Sequence, residues 1–165
     1  MLKSKKTVVL RIFLTTVTAL FIAWIYSNSL KNAEQSTAQS GKVLTLLRNV
    51  FGFLFPESDL VISMHFVRKA AHFCEYALLG FLLFFTLKSY GIRTLISCAV
   101  AYIGSTVVAF SDEGLQFLSD GRAPAILDVL IDSAGALCGV AAAFVLFLII
   151  SAIVEKRTKK QEKAV

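Results

Sequence analysis

Long runs of apolar residues limit the fold of this chain more than any other property. A membrane-crossing helix needs about 20 mostly apolar residues, and the runs fall at about 8–26, 68–87, 94–112 and 128–154. Each is too apolar around its cylinder to keep a face in water. Inside lipid, every backbone N–H and C=O must be satisfied within the segment itself, which leaves the helix as the available form. The expectation is an all-α polytopic membrane protein, a bundle of four transmembrane helices built as one unit over residues 1–165. Composition agrees, with 56% hydrophobic residues, 14 Phe and only 17% charged residues.

The cations orient the bundle. Lys3, Lys5, Lys6, Arg11, Lys88, Arg93, Lys156, Arg157, Lys159, Lys160 and Lys163, 11 in all, fall in or beside the two tails and the second loop. The first and third loops, much longer together, hold 6: Lys31, Lys42, Arg48, Arg68, Lys69 and Arg122. The positive-inside rule then places both termini in the cytoplasm, with the first and third loops facing outward. The first run is longer than a signal peptide's core and no small-residue cleavage site follows it, so a retained helix is expected. Because the cations cluster at the ends of apolar runs, the net charge of +6 reflects topology, and no nucleic-acid partner is expected. Cys74, Cys98 and Cys138 lie inside apolar runs, where they act as small hydrophobes.

The outer loop, 27–67, changes character midway. Its first part, SNSLKNAEQSTAQSGK, has nothing to bury, whereas VLTLLRNVFGFLF, 43–55, places polar residues every three or four positions on an otherwise apolar cylinder. Thirteen helical residues rise about 20 Å, too little to cross. An interfacial or re-entrant helix ending at Pro56 is expected, or else a segment packed on top of the bundle. Ser58 and Asp59 are candidate caps for the helix that follows, Gly91 ends that helix, and Asp120, Gly121 and Pro124 signal a turn. Residues 155–165 form a basic cytoplasmic tail.

The polar residues that interrupt these runs are grouped. Arg68, His72, Glu75 and Tyr76 share one helical stripe with Lys69 beside it; Asp112, Glu113 and Gln116 form a second; Asp128 and Asp132 form a third. The last stripe continues into Gly135 and Gly139, a GxxxG spacing that lets another backbone approach closely, either within the chain or in a homodimer. Topology puts all three stripes at the outer interface. An ionisable residue within the hydrocarbon costs roughly 2.5 to 3.5 kcal/mol on insertion scales and is usually paired and functional. Glu75 and Asp132, one to two turns in, are expected to lie deepest.

RKAAHFCEYALLGFLL, SDEGLQFLSDGR and DVLIDSAGALCG, with WIYSNSL ahead of the outer loop, together resemble the VanZ-like family of small bacterial membrane proteins. The likeness covers roughly residues 10 to 150. It matches Arg68, Lys69, His72, Glu75, Tyr76, Asp112, Glu113, Gln116, Gly121, Arg122, Asp128, Asp132, Gly135 and Gly139 to the family's signature positions. Gly114 stands where a bulkier residue is common, and Asp132 where Asn is frequent. The resemblance implies an association with glycopeptide resistance, teicoplanin in particular.

Two functional readings follow. In the first, an outer-leaflet pocket binds an anionic lipid or lipid-linked cell-wall precursor: Arg68, Lys69 and Arg122 would hold phosphate, with Tyr76, Gln116, Asp128 and Asp132 lining the site. Processing would fall to His72, Glu75, Asp112 and Glu113 as proton-transfer or tuning groups. No Ser-His-Asp order, Cys-His pair or zinc spacing selects a reaction class. No cofactor is expected, the exception being a divalent cation, since the His72 and Glu75 spacing mirrors the Glu-x-x-His of four-helix di-iron proteins. In the second reading the chain is a non-catalytic accessory protein whose polar cluster is an ion-pair network holding helices together. A proton pathway is disfavoured because the cytoplasmic halves of the helices are apolar.

Overall fold

Two glycines on one helix and one on its neighbour decide how this bundle packs. The computed structural model describes residues 5–30, 63–117 and 126–162, with 37–38, 40–46 and 49 of the first loop. Its long helices are α1 (Lys5–Ser29), α2 (Met64–Ser89), α3 (Thr94–Phe117) and α4 (Ile126–Glu162). Among the described residues there is no strand, and all four helices are long and apolar enough to cross a membrane. The protein is a polytopic all-α membrane protein.

The helices outrun the apolar blocks because nothing in the flanking polar residues breaks them. α4 shows this best: its 37 residues rise about 55 Å against a hydrocarbon core of about 30 Å. Its basic end continues as helix through Glu162, with Lys159 paired to Glu155 one turn back at 2.6 Å. At the start of α2 the cap is Ser63, whose hydroxyl accepts from the Phe66 N–H at 3.1 Å. That corrects the sequence expectation of Ser58 or Asp59, which lie outside the described residues. At its other end Gly91 adopts a positive φ of 81°, and the Gly91 and Ile92 N–H groups bond back to the Lys88 and Leu87 carbonyls. This Schellman arrangement reverses the chain into α3.

α2 against α4 is the most extensive interface. A side chain at Gly135 would fall on the Phe73 carbonyl of α2, and one at Gly139 on the Ala77 carbonyl; from the other side, one at Gly80 would lie 2.5 Å from the Ala136 carbonyl. The GxxxG face offered for a second copy is therefore covered within the chain by α2. On one side of this contact lie Tyr76, Leu79, Ala109, Val129 and Ala136, with Ile25 of α1; on the other lie Phe84, Ala101, Val140 and Ala143. Large apolar side chains such as Val9, Phe13, Leu95, Phe110 and Ile149 point outward, as a lipid-facing surface requires.

Of the interfacial or re-entrant segment expected at 43–55, only 43–46 and 49 are described. They are helical, and Leu44 is buried with Val67 of α2 while Val43 and Leu46 are exposed.

Candidate functional site

Direction of travel brings the polar residues together. α2 and α4 begin at the end of the bundle where α1 and α3 finish, so residues far apart in sequence occupy one layer. Arg68, Lys69 and His72 of α2, Gln116 of α3, and Asp128, Ile131 and Asp132 of α4 line a narrow cleft open to solvent. Six of those seven are residues singled out from sequence.

The mouth and the floor of the cleft differ. At the mouth Arg68 is exposed, and Lys69 pairs with Asp128 at 3.1 Å across α2 and α4. Deeper, His72 Nδ1 faces Asp132 Oδ1 at 3.8 Å, beyond hydrogen-bond reach. Asp132 is 2% exposed, and its Oδ1 has no hydrogen-bond partner. Asp112, behind the cleft and not lining it, is wholly buried, its carboxylate accepting from the Ser29 hydroxyl through Oδ1 and from Gln116 Nε2 through Oδ2 at 3.1 Å. Tyr76, also fully buried, turns its hydroxyl toward Asp112 and Asp132 without forming a hydrogen bond of good geometry.

The sequence reading of depth needs one correction. Asp132 is deep as expected, but Asp112 shares that position and Glu75 is only half-buried. Glu113 is buried, and both Glu75 and Glu113 add negative charge around Asp132 without lining the cleft. Arg122 and Gly121 lie outside the described residues.

Ser29 is the neighbour of the buried carboxyls that sequence reasoning missed. It sits in WIYSNSL, one serine of two in a segment that read as the exit of a helix. In the fold it is buried and brings α1 onto Asp112. The signal lay in the resemblance, which included this segment without giving it a role.

Chemically, the floor concentrates negative charge away from water. His72, Asp112 and Asp132 each bring one donor atom within 4.8 Å of the others, the one such group among the described residues. Two ionised carboxylates at that separation repel by about 3 to 4 kcal/mol at an effective dielectric constant near 20. A proton or a cation placed between them relieves that repulsion. The mouth carries the opposite sign through Arg68 and Lys69, so the cleft can meet an anion at its rim and a cation or proton at its base.

Compared with protein families, the chain matches VanZ/LLP1 over residues 7–150, a span that includes every residue of the cleft. Comparison with curated proteins and with solved structures found no match.

Proposed function

The chain belongs to the VanZ/LLP1 family, and from that premise we propose that its cleft binds the anionic headgroup of a membrane lipid or lipid-linked cell-envelope precursor. The observation that carries this reading is the pair of cations, Arg68 and Lys69, at the rim of an open cleft in the first turns of a spanning helix. That is the level at which phosphate headgroups lie. The cation distribution supports a topology with this end outside the cytoplasmic membrane and both termini in the cytoplasm. A protein holding wall-precursor headgroups there would alter glycopeptide susceptibility, teicoplanin included, by changing what the drug meets.

The test is lipid retention by the purified protein. In nanodiscs of mixed phosphatidylglycerol and phosphatidylcholine, the wild type is expected to enrich the anionic lipid. Arg68→Glu with Lys69→Glu should lower that enrichment about tenfold at equal protein recovery and shift teicoplanin tolerance of the host. Unchanged enrichment would overturn the proposal.

A second reading, the structural ion-pair network, is favoured by the fact that Lys69–Asp128 and Ser29–Asp112 each join two different helices. It expects single substitutions at those residues to lower thermal stability while leaving lipid enrichment alone.

A further inference from the structure

The floor of the cleft holds more than a headgroup site requires. We infer that His72, Asp112 and Asp132 form a binding site for one hard divalent cation of the Mn2+ type, beneath the anion-binding rim. This inference deepens the headgroup reading, because a cation there would face the phosphate that Arg68 and Lys69 draw in, but it stands on the floor residues alone.

Three observations carry it. The first is spacing. A cation bound about 2.1 to 2.4 Å from each donor keeps its ligands within about 4.2 to 4.8 Å of one another, and the donor atoms of His72, Asp112 and Asp132 all lie within 4.8 Å. The His72–Asp132 separation of 3.8 Å is too long for a hydrogen bond and suits two ligands of one ion.

The second is orphaned polarity. Asp132 Oδ1 is buried with no hydrogen-bond partner, and the Tyr76 hydroxyl, on a different helix, is buried and turned toward the same two aspartates without a hydrogen bond of good geometry. Buried polar atoms are nearly always satisfied. A cation would ligate the first, and a water on that cation would satisfy the second.

The third is the support around Asp112. Ser29 and Gln116 fix both its oxygens from α1 and from one turn along α3, and each oxygen keeps a lone pair for a metal. Ligating carboxylates are held this way in metal sites, where the outer hydrogen bonds set the angle of approach. Two carboxylates and one imidazole favour an ion harder than those chosen by thiolate sites.

The experiment uses the full-length protein in detergent, with Mn2+ alone as the probe. Electron paramagnetic resonance titration is expected to show one saturable site, and spin-echo modulation a directly bound imidazole nitrogen. Asp132→Asn and His72→Gln, both near-isosteric, should each weaken Mn2+ binding at least tenfold, and His72→Gln should remove the nitrogen signal. Glu155→Gln, at the far end of α4, should change nothing. The inference is overturned if the monodisperse wild type shows no saturable site below 1 mM Mn2+, or if binding survives both floor substitutions. Repeating the nanodisc assay in EDTA separates the two claims. Anionic-lipid enrichment without any Mn2+ site sinks the cation and spares the headgroup reading; a Mn2+ site without enrichment does the reverse.

Discussion

At the Arg11 end of the bundle, polar side chains inside the helices find partners. Arg11 Nε donates to the Ser89 carbonyl at 2.7 Å and its guanidinium lies 5.3 Å from the Tyr90 ring centroid; the Thr18 and Thr86 hydroxyls bond at 2.9 Å; Lys88 Nζ donates to the Ile92 carbonyl at 2.8 Å. At the Ser29 end the groups are carboxylates set close together, with Asp132 Oδ1 and the Tyr76 hydroxyl left over. The first end has neutral hydroxyls and cations facing oxygens, which closes helices onto each other. The second sets buried carboxyl groups beside one another, an arrangement that a proton or a cation between them stabilises. The difference teaches that polar residues in a spanning helix are not of one kind. The Ser105 and Thr106 hydroxyls, midway along α3, also have no hydrogen-bond partner, so what sets the Ser29 end apart is its closely set carboxyl groups.

The largest expected effect destroys both ends at once, because both hang on the α2–α4 contact. Gly139→Val drives a branched side chain into the Ala77 carbonyl, and backbone cannot give way as a flexible side chain can. The expected cost is about 3 kcal/mol or more, read as lost monodisperse protein or a collapsed unfolding midpoint. Gly114→Ala is the control. Nothing lies near that position, so the substitution should be neutral or gain up to about 1 kcal/mol of helix propensity. If the Gly139→Val protein stays folded with both ends intact, the shared spine is wrong.

The next effect separates the ends. Arg11→Ala removes a charge-assisted hydrogen bond and a stacking partner, so stability should fall by about 1 to 2 kcal/mol. Lipid enrichment and teicoplanin tolerance should not change. A functional loss at full stability would erase the contrast between a structural and a working end.

These contrasts mark what could be read from sequence and what could not. The four spans were legible because apolar runs of that length have few alternatives, and the grouping of Arg68, Lys69, His72, Gln116, Asp128 and Asp132 followed from helical spacing and alternating direction. The GxxxG spacing was legible too, but not its partner, since a smooth face does not say which backbone will fill it. Depth was misjudged at Glu75. Counting turns from the helix entrance gives height, whereas burial depends on which neighbour closes over the residue, and α1 closes over Asp112 through Ser29. That contact spans 83 positions, beyond any local pattern. The Ser63 cap was missed because Ser58 and Asp59 read equally well as caps.

A smaller effect carries the opposite sign. Asp132→Asn keeps the shape of the side chain and removes one of the crowded charges, so with cations chelated the protein should gain about 1 kcal/mol of stability. Thermal unfolding in EDTA is the measurement. Destabilisation there would mean that the carboxylate is satisfied within the protein, and the Ser29 end would then be structural like the other.

The smallest effect is the one that decides between the two readings of the cleft mouth. Lys69 and Asp128 lie 3.1 Å apart with side chains 27% and 31% exposed, so water still reaches both groups. A pair of that kind couples by about 0.2 to 1 kcal/mol. A double-mutant cycle with Lys69→Met and Asp128→Asn, read by unfolding in detergent, should return a value in that range. Lys69 then contributes little to holding α2 on α4 and remains available to turn toward an arriving phosphate. A coupling of about 3 kcal/mol or more is the signature of a desolvated clamp. In that case the cation belongs to the scaffold, the rim is left to Arg68, and the ion-pair network becomes the better account of this end of the bundle.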